Sequence, residues 1–231
     1  MPSAPLRILL ASGNAKKLGE LRALLAPSGL DVVAPSDVGG LPEVIEDGAT
    51  FEANAAKKAR SGALASGLPC LADDSGLCVD ALGGAPGVHS ARFAADETSA
   101  ETNGNASDAE NNAKLLRELE GLTPEQRGAC FVCVLCLADA AGEVIATFRG
   151  EAPGRILAAA VGSGGFGYDP LFAPVFEPLL DPGSESNRAP ARTFAQLSPT
   201  EKAAVGHRGR ALAQLRAALP DLLPRLIVQA H

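Results

Sequence analysis

Short apolar runs and helical stripes alternate along this chain, and their order sets the fold class. Leu6–Ala11 is an apolar run of strand length, Ser12-Gly13-Asn14 a turn, and Leu18, Leu21 and Leu25 a stripe at helical spacing. Pro27-Ser28-Gly29 stops that helix, and Val32–Ala34 reads as a second short strand. Residues 35–50 are loop-rich and carry Glu43, Glu46 and Asp47. Thr50 is placed to cap a helix running from Phe51 to near Ala65. Pro69–Ala72 then forms a strand that delivers Asp73 and Asp74 at its tip, ahead of Ser75-Gly76 and the Gly/Pro-rich loop Gly83–Gly87.

Residues 94–112 are polar and poor in large apolar side chains, which makes them a surface excursion before a helix at Leu115–Leu119. Cys130–Ala138 and Glu143–Phe148 pattern as hairpin strands joined through Asp139-Ala140-Ala141-Gly142, with a third strand at Gly154–Ala160. A dense glycine loop occupies 162–170, and the Pro/Ser/Asn-rich stretch 177–192 reads as a loop insertion in a single domain spanning 1–231. Ser198-Pro199-Thr200-Glu201 is a helix start with Ser as N-cap, Pro at N1 and Glu at N3. Val205, Leu212, Leu215 and Leu219 give that last helix its apolar face. Helices interleaved with strands indicate an α/β fold, and the hairpin makes its sheet mixed rather than purely parallel.

Composition narrows the function classes. The formal charge of −7 argues against a general nucleic-acid binder, which would carry a basic stripe. It leaves room for a nucleotide held by a local lysine cluster and a metal. No apolar run approaches the roughly 20 residues that span a bilayer, and the N-terminus lacks the features of a signal peptide, so a cytoplasmic protein is expected. Cys130, Cys133 and Cys136 have iron–sulfur-like spacing, but on a strand Cys133 faces away from the other two. The five cysteines are therefore read as small buried hydrophobes.

Five stretches carry chemistry, and each also has an ordinary structural reading. Asp73-Asp74-Ser75-Gly76 is turn material, yet carboxylates after a buried strand suit Mg²⁺, which binds one or two of them plus substrate phosphates. Ser12-Gly13-Asn14-Ala15-Lys16-Lys17 opens a helix, whose first N–H groups and dipole attract anions, and its lysines add charge. Asn54 and Lys58 share one helix face at i, i+4. Gly165-Phe166-Gly167-Tyr168-Asp169-Pro170 lets backbone approach a flat ligand, with Phe166 free to stack on a base or to anchor the loop in the core. Lys202 and the pair His207-Arg208 complete the set, although such residues on a helix are ordinarily solvated surface.

Taken in order, Ser12-x-Asn14-x-x-Lys17, Thr50-Phe51-x-x-Asn54-Ala55-x-x-Lys58-Ala59, the block from Asp73 to Gly87, Gly165–Phe172 and His207-Arg208-Gly209 resemble the inosine triphosphate pyrophosphatase family, the XTP/dITP diphosphatases. The resemblance covers residue 6 to about 219. It implies an elongated two-lobed fold with a cleft between the lobes, a homodimer, Mg²⁺ as cofactor, and hydrolysis of ITP, dITP or XTP to the monophosphate and pyrophosphate. Carried over by position, it makes Asp74 proton acceptor and metal ligand and Glu46 the second metal ligand. It sets Ser12, Gly13, Asn14, Ala15, Lys16, Lys17, Lys58 and Ser75 on the triphosphate. Phe166, Gly167, Tyr168, Asp169, Lys202, His207 and Arg208 fall on substrate and base positions. Two departures stand out: Gly206 where the family commonly has Ser, and Arg192 before Thr193-Phe194 where a lysine is common. A non-catalytic nucleotide-binding protein and a pyrophosphatase for modified pyrimidine nucleotides are the rival functions.

Overall fold

A computed structural model of the chain describes residues 6–12, 15–25, 30–95, 105–175 and 192–228, without the side chains of Ala15, Lys16, Lys17, Glu20, Leu24, Ile227 and Val228. Six strands form one sheet: β1 (Arg7–Leu10), β2 (Asp31–Val33), β3 (Cys70–Val79), β4 (Gly128–Ala138), β5 (Val144–Ile156) and β6 (Phe172–Pro174), in the order β2-β1-β3-β4-β5-β6. The helices are α1 (Ala15–Leu25), α2 (Phe51–Ser66), α3 (Asp108–Glu118), α4 (Pro199–Val205) and α5 (His207–Val228). β1 runs parallel to β2 and β3, with Leu9 opposite Cys70 and Leu10 opposite Leu71, whereas β5 and β6 are antiparallel. The sheet is mixed, as the residue pattern predicts.

The chain divides into two compact units. The first holds the described residues up to Asp74, Cys133–Gly150 and everything from His207 onward. Side chains alternate across its strands, and each face meets different helices. Ile8, Leu10 and Leu71 join Leu21 and Leu25 of α1 and Ala211, Leu212, Leu215 and Leu219 of α5 in one apolar cluster. On the opposite face lies α2, whose Ala55, Ala59 and Ala63 are fully buried. Small residues let this helix come close: a Cβ on Gly62 would stand 2.6 Å from Cys70 Sγ and 3.3 Å from a Leu9 methyl. Thr50 caps α2 as predicted, its hydroxyl accepting from Ala53 N–H at 3.1 Å.

The second unit comprises Ser75–Val132 and Glu151–Gly206. Its core is built on Leu77 and Val79 from the later half of β3, Leu115 and Leu119, and an aromatic trio. Phe131 meets Phe172 edge-on at 4.7 Å between centroids and stacks with Phe194 at 5.7 Å.

Several predicted boundaries move. Asp73 and Asp74 lie inside a continuous ten-residue strand rather than at the tip of a short one, because the apolar residues after Gly76 extend the same ladder. Of the predicted strand at Gly154–Ala160 only Gly154–Ile156 is strand, as the end of β5, and the short β6 pairs with it. The helix anticipated at Leu115–Leu119 starts seven residues earlier, at a Ser107–Glu110 capping box. The last helix is two: Ser198, Pro199 and Glu201 start α4 as expected, but Gly206 turns extended and α5 begins at His207. Gly13, Asn14 and residues 177–191 lie outside the described residues, as do 96–104.

All five cysteines are thiols; Cys70, Cys133 and Cys136 are buried, while Cys78 and Cys130 are only half-buried. Burial pushes the Cys70 thiol up to about 12. A thiol reagent applied to the native protein at pH 8 is expected to label Cys78 and Cys130 first and the remaining three only on unfolding. Labelling of Cys70 at the rate of Cys78 would contradict this packing.

Candidate functional site

Asp74 and Asp73 are neighbours in β3, so their side chains leave opposite faces of the strand. Both are buried, at 6% and 3% exposure, and buried carboxylates require hydrogen bonds and opposite charge. Each finds them on the helix its own face meets. Asp74 turns toward α2, where Lys58 Nζ lies 3.1 Å from its Oδ1 and Asn54 Nδ2–H donates to its Oδ2 at 3.3 Å. Asp73 turns toward α5, where Arg208 Nε lies 3.6 Å from its Oδ2.

Lys58 also reaches Glu46, 2.9 Å from Nζ to Oε2, so one ammonium gathers two carboxylates from distant parts of the sequence. Burial works against its charge, but the fields of Asp74, Asp73 and Glu46 outweigh it and hold the Lys58 pKa above the ordinary lysine value. Asn54 ties the loop before α2 into the same arrangement. Its Oδ1 accepts from Gly48 N–H at 2.8 Å, which fixes the amide orientation and leaves Nδ2–H for Asp74. A side chain on Gly48 would stand 2.5 Å from that oxygen, so the loop needs glycine there.

In the second unit, buried Asp169 is the centre of another cluster. Its Oδ2 accepts from Lys202 Nζ at 2.6 Å and from Phe166 N–H at 2.9 Å. Lys202 Nζ stands 4.9 Å from the centroid of the Phe166 ring, within cation–π range. The Tyr168 hydroxyl donates to the Ser90 carbonyl at 2.9 Å, and burial with the nearby Asp108 charge raises the phenol pKa. Gly167 presents both halves of its backbone to α3: its N–H donates to Asp108 Oδ2 at 2.7 Å, and its carbonyl accepts from Asn112 Nδ2–H at 3.0 Å.

Among the residues singled out from sequence, Glu46, Lys58 and Asp74 form one cluster, and Phe166, Asp169 and Lys202 another. His207 and Arg208 are buried at the start of α5 rather than solvated, at 4% and 6% exposure. Lys202 belongs to α4 and not to the same helix as these two. Ser12 follows β1 half-buried, and Ser75 is the half-buried residue after Asp74 in β3. Ala15, Lys16 and Lys17 open α1, with side chains outside the described residues. Asp108 and Asn112 are additions. Asn54 had a visible signal in its i, i+4 spacing from Lys58, whereas Asp108 and Asn112 act on a glycine 59 and 55 residues away, which no local pattern announces.

The two acidic ligand candidates, Glu46 and Asp74, are hard oxygen donors that one ammonium already draws together, a donor set suited to a divalent cation that also takes substrate phosphate. The described residues contain no group of three or more His, Cys, Asp or Glu placed to hold a metal by themselves. The class defined so far is a mixed-sheet α/β protein with a buried carboxylate–lysine centre. The chain belongs to the Ham1 family, whose profile matches residues 8–218.

Relatives agree over nearly the whole length. The chain is 48% identical to the dITP/XTP pyrophosphatase of Anaeromyxobacter dehalogenans, covering 90% of this chain and 94% of that one. It is 50% identical to the dITP/XTP pyrophosphatase of Ralstonia nicotianae, with the same two shares. The solved HAM1 protein of Coxiella burnetii matches with a TM-score of 0.76 at 38% identity, over 94% of this chain and 99% of that one. The nucleoside-triphosphatase / dITP/XTP pyrophosphatase of Mycobacterium abscessus matches with a TM-score of 0.67 at 44% identity, over 91% and 97%.

Gly165 tests the second cluster. Its φ of +73° is left-handed, and a Cβ there would run into the Asp169 carboxylate. Gly165→Ala is expected to lower unfolding free energy by about 1–3 kcal/mol in urea denaturation. An unchanged midpoint would remove the constraint from the loop.

Proposed function

We propose that this protein is a Mg²⁺-dependent nucleoside triphosphate pyrophosphatase that hydrolyses dITP, XTP and ITP to the monophosphate and pyrophosphate. The observation that carries the reading is the Glu46–Lys58–Asp74 centre, with Asn54 on the second oxygen of Asp74. It occurs in a chain about half identical to proteins named dITP/XTP pyrophosphatase.

In this reading Asp74 receives the proton of the water that attacks the α-phosphorus. The bond from that phosphorus to the bridging oxygen breaks, and pyrophosphate leaves with the electron pair. Lys58 and Asn54 hold the Asp74 carboxylate in one orientation, so little reorganisation precedes the proton transfer. Lys58 keeps its proton, because three carboxylates raise its pKa, and it offers positive charge to the triphosphate. Glu46 and Asp74 would hold Mg²⁺, which when bound neutralises charge developing on the phosphate oxygens. Ser12, Lys16, Lys17 and Ser75 serve the phosphate chain by family resemblance, with Gly13, Asn14 and Ala15 supplying backbone.

Base choice then rests on hydrogen bonding. Hypoxanthine and xanthine carry a keto oxygen at position 6, which accepts from Arg208 or His207. Adenine presents an amino group there and would leave those donors unpaired, at a cost of about 1–3 kcal/mol per group. Phe166, Gly167, Tyr168, Asp169 and Lys202 form the loop and cation assigned to the substrate. Asp169 is buried and Lys202 half-buried against it, which supports a fixed rather than a solvated cluster.

A panel of ITP, dITP, XTP, ATP and a modified pyrimidine triphosphate, assayed for pyrophosphate release with and without Mg²⁺, tests the reading. The abnormal purines are expected to turn over at least tenfold faster than ATP, about 1.4 kcal/mol of discrimination, and EDTA to abolish release. Asp74→Asn is expected to lose activity while remaining folded. Equal turnover of ATP and ITP, or an active Asp74→Asn, would overturn the corresponding assignment.

A further inference from the structure

The glycine loop has a support that its own sequence does not supply. Gly165 and Gly167 both adopt left-handed backbone, at φ of +73° and +60°. Glycine populates many other conformations as readily, so the loop's shape must be imposed from outside. One intrinsic tie is the Asp169 carboxylate on Phe166 N–H. Gly164 N–H also donates to the Ala195 carbonyl at 3.1 Å, but Gly167 itself is held by α3, whose Asp108 and Asn112 stand at i, i+4 on one face and take its N–H and its carbonyl.

The same helix is itself firmly seated. Ser107 and Glu110 cap its start, Leu115 and Leu119 are fully buried, and Asn111 accepts from Ala94 N–H at 2.8 Å. Lys114 Nζ donates to the Phe93 carbonyl at 2.8 Å. Asp108 lies in the first turn, where a negative charge is favoured by the helix dipole. A well-anchored helix thus holds the Gly167 peptide by both of its hydrogen-bonding groups.

We propose that Asp108 and Asn112 are positioning residues for base recognition. By holding Gly167 they set the place of Phe166 and, through Asp169, of Lys202, without touching substrate themselves. The inference rests on the pyrophosphatase reading, and it makes α3 a determinant of substrate affinity rather than of the chemical step.

The protein offers a direct reporter of this loop. It has no tryptophan and a single tyrosine, Tyr168, beside the clamped glycine. Intrinsic tyrosine emission therefore reads the loop independently of activity. We would compare the wild type with Asp108→Ala, Asn112→Asp, the conservative Asp108→Asn, and Glu118→Ala on the same helix as control. Asp108→Ala and Asn112→Asp are expected to raise KM for dITP about tenfold with kcat within twofold, and to make Tyr168 more accessible to acrylamide quenching.

Asp108→Asn keeps an acceptor oxygen for Gly167 N–H and is expected to restore both readouts toward wild type; Glu118→Ala should leave them unchanged. Unaltered KM and quenching in Asp108→Ala and Asn112→Asp would overturn the proposal, as would a fall in kcat with KM unchanged. Should Asp108→Ala fail to fold, Asn112→Asp decides alone by the same two readouts. If the wild type releases no pyrophosphate from dITP, the activity reading fails by itself, and quenching still reports whether α3 holds the loop.

Discussion

Asp74 is a carboxylate on a buried strand, and an ionised group in that position stands only if charge and hydrogen bonds meet both of its oxygens. Lys58 and Asn54 do this from a single helix face, one oxygen each. Much else follows from that requirement. The helix that carries them must lie close to β3, which explains the alanines and Gly62 on its buried side. The loop before the helix must bring Glu46 to the same ammonium, and it is held there by Gly48 on Asn54. Removing one member of such a buried pair costs about 3–5 kcal/mol, so the arrangement is tightly specified. A cation that is already the common partner of two carboxylates is also well placed to meet phosphate, and this links the stability of the centre to its use.

Alternation along β3 extends the same logic to the other side of the sheet. Adjacent aspartates cannot share a partner on one face, so Asp73 recruits Arg208 from α5. The family resemblance assigns a role to Asp74 alone, and the fold likewise divides the pair: Asp74 meets Lys58 and Asn54, while Asp73 fixes an arginine. Gly150 allows α5 to approach, because any Cβ there would collide with the backbone at His207 and Ala211. His207 and Arg208 are consequently buried at a helix start and not displayed on its surface.

What was legible in the sequence, and what was not, divides along the range of the interaction. The α/β class, the mixed sheet, the Thr50 cap and the Ser198 capping box all rest on neighbours within a few residues and are read correctly. Composition places the end of a strand before Asp73-Asp74, which reads as a turn, whereas a continuous hydrogen-bonded strand with helices on both faces accommodates both residues. The split of the last helix hinges on one extended glycine, Gly206, inside an otherwise helical apolar period. Motif resemblance points to Asp74, Glu46, Lys58 and Lys202, but not to the ion pairs Lys58 makes with Glu46 and Asp74 or Lys202 with Asp169. The contacts of Asn112 and Asp108 with Gly167 join segments more than fifty residues apart, and only the folded second unit brings them together.

The most direct test of this account is a double-mutant cycle on Lys58→Met and Asp74→Asn, read as unfolding free energy in urea at pH 7 with EDTA present so that no divalent cation replaces the lysine. If the buried pair organises the centre, the two substitutions should be coupled by about 1.5 kcal/mol or more, the double variant being more stable than the sum of the single effects predicts. Additivity within about 0.5 kcal/mol would contradict it and leave Asp74 without the partner on which the rest of the site is built.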